Sequence, residues 1–397
     1  MLLEIILALL IGILAGTLTG LTPGIHINLI GAVLISLSAF FLGITSPIII
    51  AIFIVSMSIT HTFIDFIPSV FLGAPDEDTV LSILPGHELL KSGRGYEAVY
   101  LSAYGSIAAI AIILVISPIF IFLLPKFENI IKILVPYLLI ASSLFLISRE
   151  KDKISAMLVL ILSGFLGLGV LNSNINEPFL PLLSGLFGAS SLIISISSKT
   201  KIQKQIISKP KVAKREFFLP IFASMITAPL TSFLPGLGSG QAAVLGASLI
   251  KTSKKSFLIL LGATNTIVLG LGFIVLYSIG RKRTGMAVVL ENILKSLTLN
   301  HVFIILTTIA LVGIISFYLT LTLGKFFAKN INKISYAKLS IFILIILSII
   351  VLLISGPLGF FAYLVATSVG IYGVLSNTRR INLMGCLVIP VIIFYLV

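Results

Sequence analysis

Long apolar runs broken by short polar connections decide what this chain can fold into. Runs at 3–20, 25–43, 47–71, 98–124, 130–147, 154–171, 180–197, 217–234, 240–251, 256–279, 301–323, 338–354, 357–375 and 382–396 are candidate membrane segments. Most approach the roughly 20 residues that a helix needs to cross a hydrocarbon core. Backbone groups in lipid must find partners within the protein, which leaves only helices and closed barrels. The runs are continuous rather than alternating, which argues against a barrel. Hydrophobic residues make up 58% of the 397 and charged residues 10%, where soluble domains carry about 25% charged residues. The chain is therefore expected to be an all-α polytopic membrane protein of roughly 10–14 membrane segments. Leu2–Leu18 is apolar, holds Glu4 and follows no basic stretch, so it reads as a retained first helix rather than a cleaved leader. The lone Cys386 cannot form an intrachain disulfide.

The net charge of +14 has a bland explanation. The basic residues fall in short loops between spans, as the positive-inside rule requires, and no nucleic-acid partner is expected. The stretch 199–216 carries Lys199, Lys201, Lys204, Lys209, Lys211, Lys214 and Arg215. It reads as a cytoplasmic linker between a first transmembrane half, 1–198, and a second, 217–397. Arg149, Lys151 and Lys153, the basic loop from Lys325 to Lys338, and Arg379 with Arg380 fit the same side.

One short pattern occurs twice. Near the N-terminus, Gly20-Leu21-Thr22-Pro23-Gly24-Ile25-His26-Ile27-Asn28 places a Pro-Gly pair and polar residues between apolar runs. The second half repeats the arrangement as Leu234-Pro235-Gly236-Leu237-Gly238-Ser239-Gly240-Gln241. Proline removes a backbone donor and clashes with the preceding turn. Each pair therefore ends one helix and starts another, whose first N–H groups and dipole point into the break. That makes an anion site. A single Pro-Gly would read as an ordinary kink, but two in corresponding halves point to a transporter binding site near the bilayer midplane. The candidate substrate contacts are Thr22, Pro23, Gly24, His26 and Asn28 in the first copy. In the second they are Pro235, Gly236, Gly238, Ser239, Gly240 and Gln241. Segment 240–251 is too short to span and is expected to form a re-entrant hairpin with 217–234.

Other residues extend the repeat. Thr60-His61-Thr62 resembles Thr264-Asn265-Thr266, and Gly93–Val99 resembles Arg283–Val288. Loop 75–97 is mainly acidic, whereas its counterpart holds Arg281, Lys282 and Arg283 with no acid nearby. Loops of opposite charge balance fit opposite sides, which predicts inverted repeats with broken or re-entrant helices. His61 and Asp65 are four apart inside an apolar run, so they share a helix face. With Asn265 they are candidates for a proton or cation site coupled to transport. The alternative is a satisfied internal pair that fixes helix packing. The acids Asp76, Glu77 and Asp78 lack calcium-loop spacing, no zinc pattern is present, and the glycine runs lack the P-loop lysine. No catalytic triad is visible, so an enzyme is not expected.

The Gly-rich first helix running into Thr22-Pro23-Gly24 resembles the opening of the large membrane subunit of tripartite tricarboxylate transporters, the TctA family. Leu234–Gly240 is similar to that family's second Pro-Gly-rich motif. Gly73-Ala74-Pro75 followed by Gly86–Ala98 is similar to the segment between them. Ile25-His26-Ile27-Asn28 departs from the usual Gly-rich polar run, as in a divergent branch. The resemblance implies a carrier of small organic anions in the cell membrane, driven by sodium or protons and needing no cofactor beyond a coupling ion such as Na+. It implies as partners a small membrane subunit and an extracytoplasmic binding protein. The alternative reading is a translocase for a polyprenyl phosphate, held at the same Pro-Gly tips.

Overall fold

The computed structural model describes residues 2–22, 34, 38–72, 79, 83–197, 203–233, 238–331 and 336–396. The helices in chain order are α1 (Leu2–Leu21), α2 (Ser38–Ile44), α3 (Pro47–Ile64), α4 (Phe66–Leu72), α5 (Ile83–Lys91) and α6 (Gly95–Ser148). Then come α7 (Lys153–Leu171), α8 (Phe179–Leu183) and α9 (Ser190–Ser197), with a π-helical turn at Ser184–Ala189. The second half holds α10 (Lys214–Phe233), α11 (Ser239–Leu249), α12 (Lys254–Ile279), α13 (Gly285–Leu294), α14 (Leu299–Asn330), α15 (Tyr336–Leu375) and α16 (Gly385–Leu396). Eight stretches among the described residues are long and apolar enough to cross a membrane. The fold is that of an all-α polytopic membrane protein.

Local chemistry sets the boundaries. Asp152 accepts hydrogen bonds from Ile154 and Ser155 at the start of α7, and Ser253, Thr284 and Thr298 cap α12, α13 and α14 in the same manner, which satisfies donors that the first turn leaves open. Pro68 has no N–H to offer the Ile64 carbonyl, so the run 47–72 divides at Asp65 into α3 and α4. Gly356, at φ 70°, and Pro357 bend α15 in its middle. The runs 98–124 and 130–147, expected as two segments, form one 54-residue helix, because Pro118, Pro125 and Pro136 bend α6 without ending it. Gly280 closes α12 at φ 65° with open space where a Cβ would stand. Gly280→Ala is therefore expected to cost about 1 kcal/mol through backbone strain alone. Thermal denaturation in detergent should show a small loss, and Gly280→Asn a smaller one.

Contacts fix the direction of each helix. On α1, Gly12, Gly16 and Gly20 face Ser56, Thr60 and Ile64 in turn, so α1 and α3 run parallel and almost touch backbones. Small residues four apart are the usual device for such approach in lipid. In the second half α10 and α12 run parallel. Glu216, near the start of α10, accepts hydrogen bonds from Ser253 and Ser256 at the start of α12. At the other end the Phe233 carbonyl, closing α10, accepts one from Arg281, just beyond α12. The start of α6 joins the start of α12 through Lys255 and Glu97, 3.1 Å apart. The end of α4 lies there too, with Phe71 against Gly95. At the far end, Leu294 of α13 and Ile48 of α3 line one small apolar pocket. So α3 and α12 are antiparallel, and the two halves run in opposite directions.

Partner exchange follows the same symmetry. α1 packs on α3 and α10 on α12 within each half, while α6 packs on α12 and α14 on α3 across halves. α6 and α14 are thus counterparts, as are the short helices α5 and α13. This corrects the match of Gly93–Val99 with Arg283–Val288, since the first opens α6 and the second opens α13. The first stretch begins at Gly93, with φ 77°, and the second lies three residues past Gly280, with φ 65°, so the same reversal-then-helix chemistry recurs at different steps. Helices α7, α8, α15 and α16 build a second layer around Leu186, Phe187 and Leu383.

Candidate functional site

The faces of the molecule differ in charge. Gln205 of the linker accepts from Gly95 N at 2.8 Å and donates to the Leu90 carbonyl at 3.0 Å, which straps 203–213 across the start of α6. Glu88 and Glu97, from the described end of the acidic loop, therefore share the face of the basic linker, and the triplet Arg281–Arg283 lies on the other. Glu88 and Glu97 there pair with Lys254 and Lys255. Arg94 adds a two-pronged bond to Glu97, at 2.6 and 2.7 Å, which raises the pKa of its guanidinium above the ordinary value. The triplet is not without an acid: Lys282 pairs with Glu291 at 2.6 Å, one α13 helix away in sequence.

The most apolar stretch of α12 is wholly enclosed by the rest of the chain. Its buried Thr264-Asn265-Thr266 meets the buried Thr60-His61-Thr62 of α3. Thr62 Oγ1 and Thr266 Oγ1, equivalent residues of the two halves, are 3.3 Å apart. Asn265 Nδ2 donates to Asp65 Oδ2 at 2.9 Å. His61 turns the other way, its Nδ1 3.1 Å from Thr19 Oγ1 of α1. The helix face that His61 and Asp65 share thus divides its bonds between α1 and α12. Two members of this polar band carried no sequence signal. Ser316 Oγ of α14 donates to Thr60 Oγ1 at 2.9 Å. Thr320, one turn on, has a fully buried hydroxyl with no partner among the described residues. A hydroxyl in an apolar helix ordinarily bonds its own preceding turn, so nothing in the sequence distinguishes one that crosses to a neighbour.

The Pro-Gly tips are described in part. Pro23, Gly24, His26, Asn28, Pro235 and Gly236 lie outside the described residues. Thr22 spends its hydroxyl on the Leu18 carbonyl at 2.7 Å. The second tip is clearer. Gly238 stands in extended conformation before α11, and its N–H donates to Gln241 Oε1 at 2.8 Å. The first bond within α11 runs from Ala242 N to the Gly238 carbonyl. The N–H groups of Gly240 and Gln241 therefore have no acceptor within the helix. Gln241 is 2% exposed, and its Nε2 has no acceptor among the described residues. An enclosed donor without a partner costs about 1–3 kcal/mol, so this cluster is chemically prepared for an anion.

The α10–α11 pair begins and ends on the linker face, as the bonds of Glu216 to Ser253 and Ser256 require. α10 holds 20 residues in spite of Pro220 and Pro229, which gives it a length of about 30 Å. Gly246 of α11 lies against Leu260 of α12, and Ala243 packs with Leu260 and Leu261, so the start of α11, about one turn further along, stands beside the interior of α12.

The sequence profile of the tripartite tricarboxylate transporter TctA family matches residues 6–385. A protein of Methanocaldococcus jannaschii, described only as uncharacterized, is 32% identical over 404 residues, which span 98% of this chain and 99% of that protein. No solved structure matches. A profile match across nearly the whole length, on a chain whose Pro-Gly break leads into a donor-rich helix start, leaves one assignment. The chain belongs to the tripartite tricarboxylate transporter TctA family, a family of membrane transporters and not of enzymes.

Proposed function

We propose that the chain is the translocating membrane subunit of a secondary transporter for a small organic anion of the carboxylate class, coupled to sodium or protons. The observation that carries this reading is the enclosed donor cluster at the start of α11, where Gln241 Nε2 faces no acceptor among the described residues. A carboxylate supplies the missing acceptors, and the helix dipole favours its charge. Thr22, Pro23, Gly24, His26, Asn28, Pro235, Gly236, Gly238, Ser239, Gly240 and Gln241 are assigned to the substrate. Opposed halves support alternating access.

His61, Asp65 and Asn265 are assigned to the coupling ion. The supporting feature is the Asp65–Asn265 bond, a buried carboxylate joined across the antiparallel crossing of the two halves. Intramembrane carboxylates of this kind mark ion paths. We assign the linker face, with Lys209, Lys211, Lys214, Arg215, Lys251, Lys254 and Lys255, to the cytoplasm, and the protein to the cell membrane. A small membrane subunit and an extracytoplasmic binding protein complete the system, as the family's tripartite name suggests.

The test is the thermal stability of purified protein with citrate, succinate or undecaprenyl phosphate, each in sodium and in potassium. A ligand that binds only the folded state raises its apparent stability. Citrate or succinate is expected to do so in sodium. Gln241→Leu should lose that response while its ligand-free melting temperature holds or rises, since the unsatisfied donor is gone. A response to the polyprenyl phosphate alone would transfer the tip to a lipid headgroup. A carboxylate response unchanged in Gln241→Leu would sink the assignment of the tip.

A further inference from the structure

Thr320 of α14 is the hydroxyl that the polar band leaves unused. It is fully buried and has no partner among the described residues. Packing fixes its level. Ser316, one turn before it, bonds Thr60 of α3. Further along, Phe327 of α14 lies against Phe71 of α4, with ring centroids 6.1 Å apart. The second pair has the same separation in sequence as the first, so α14 runs parallel to α3 and α4 in one register. Thr320 falls between the two contacts and is therefore level with Ile64. α6 closes the other side, since a Cβ at Gly313 would meet Ile110 and one at Gly324 would meet Val99. Thr320 shares the helix face of both glycines.

Ile64 brings a second unused group. Its carbonyl has no donor one turn on, because Pro68 stands there. The equivalent place in the second half differs. With Thr60-His61-Thr62 matched to Thr264-Asn265-Thr266, Pro68 corresponds to Gly272, and α12 runs through it without a break. The first half alone thus opens a carbonyl here, and the helix beside it holds an orphaned hydroxyl at the same level.

We propose that this is a sodium site, with Thr320 Oγ1, the Ile64 carbonyl and the hydroxyls of Thr60 and Ser316 as ligands. It rests on the reading that the crossing of α3 and α12 serves a coupling ion, and it names that ion. Every ligand is a neutral oxygen, which suits a hard cation. None of these groups titrates as a carboxylate or imidazole does, so the set holds a cation rather than a proton. Broken membrane helices present carbonyls to sodium in this way. The Thr60 and Ser316 hydroxyls already meet at 2.9 Å, and so close an approach favours sodium over the larger potassium, as cavity size governs such choices. Asp65, the residue after Ile64, supplies a carboxyl beside the ion and links it to α12 through Asn265. Sodium would tie α14 of one half to α3 of the other.

The experiment is binding of radiolabelled sodium to purified protein without substrate, with melting curves in sodium and in potassium at equal ionic strength. Wild type is expected to bind sodium and to melt higher in it than in potassium. Thr320→Val keeps the shape and removes the hydroxyl. It should bind sodium about ten-fold or more weakly, the scale of one lost contact to a charged group. Its melting temperature in potassium should hold or rise, since the orphaned hydroxyl is gone. Thr320→Ser restores the oxygen and should restore most of the affinity. If the valine variant misfolds, Ser316→Ala carries the same comparison. A Thr320→Val protein that melts higher but binds sodium as wild type does identifies a trapped water and overturns the proposal. In that case loss of sodium in Asp65→Asn keeps the coupling reading, with the ion held elsewhere, and its retention there removes that reading too. A wild type that binds sodium no better than potassium also overturns the proposal. Citrate protection in potassium would then leave the carrier reading intact, with protons as the coupling ion.

Discussion

Gly105→Val should prevent the two halves from packing and leave little or no folded protein. A Cβ at Gly105 would run into the Ile259 carbonyl oxygen of α12 and come within 2.8 Å of Ala263 N. Across the same seam, a Cβ at Gly262 would meet the Ser102 carbonyl of α6. The obstacle is backbone on both sides, so no rotamer change relieves it. Overpacking a core usually costs about 1–3 kcal/mol and more when nothing can move. Here the wedge also parts Ser106 Oγ from the Gly262 carbonyl, which it now meets at 3.1 Å. The control is Gly169→Val on α7, where a Cβ meets nothing within 4 Å. Size-exclusion profiles and melting temperatures in detergent decide the matter. A monodisperse Gly105→Val with wild-type melting would show that α6 and α12 do not approach as described.

Glu97→Ala is expected to be the most damaging single loss of charge. Glu97 binds Arg94 through both oxygens and Lys255 at 3.1 Å, with its side chain 8% exposed. Removing it leaves two cations facing each other at the junction of the halves. Breaking a buried ion pair from one side costs about 3–5 kcal/mol. Arg94 is 41% exposed, so solvent screening places the loss at or below the lower end of that range. A double-mutant cycle with Lys255→Ala separates the pair from the background. The double variant should be less destabilised than the sum of the two single variants, by about 0.5–3 kcal/mol. Strict additivity would mean that Lys255 and Glu97 do not interact, and that the linker face is closed by apolar packing alone. On the opposite face the ion pair Lys282–Glu291 lies within the second half. There Ile48, Ile52, Leu294, Ile304 and Ile305 surround a small apolar pocket.

Some of this architecture was legible in the residue order, because the relevant physics is local. Apolar length marks a crossing, proline removes a donor, and a Ser or Asp before a helix caps it. Those rules located most of the long helices and the break before α11. They also drew attention to Thr60-His61-Thr62 and Thr264-Asn265-Thr266, which the fold brings together. What they could not supply is which side of each helix faces protein. In their most apolar windows α1 has mean hydropathy 2.4 and is 22% buried, whereas α12 has 2.2 and is wholly buried. Lipid tails and a protein core are equally apolar, so hydrophobicity does not distinguish them.

The tertiary structure decided everything that depends on distant partners. It joined Asp65 to Asn265, 200 residues apart, and Thr60 to Ser316, 256 apart. It gave Lys282 an acid that the loop around it lacks, and set Glu88 and Glu97 on the same face as the basic linker. It seated Arg281 on the end of α10, although nothing in the triplet Arg281–Arg283 singles out one of the three. The sequence by itself determined the class, most of the long helices and the break before α11, because these follow from composition and backbone chemistry within a few turns. The pairing of the halves, their opposed direction and the residues that meet between them follow from close backbone approach at glycines and from buried polar bonds. Those depend on three-dimensional fit, which no short window of residues contains.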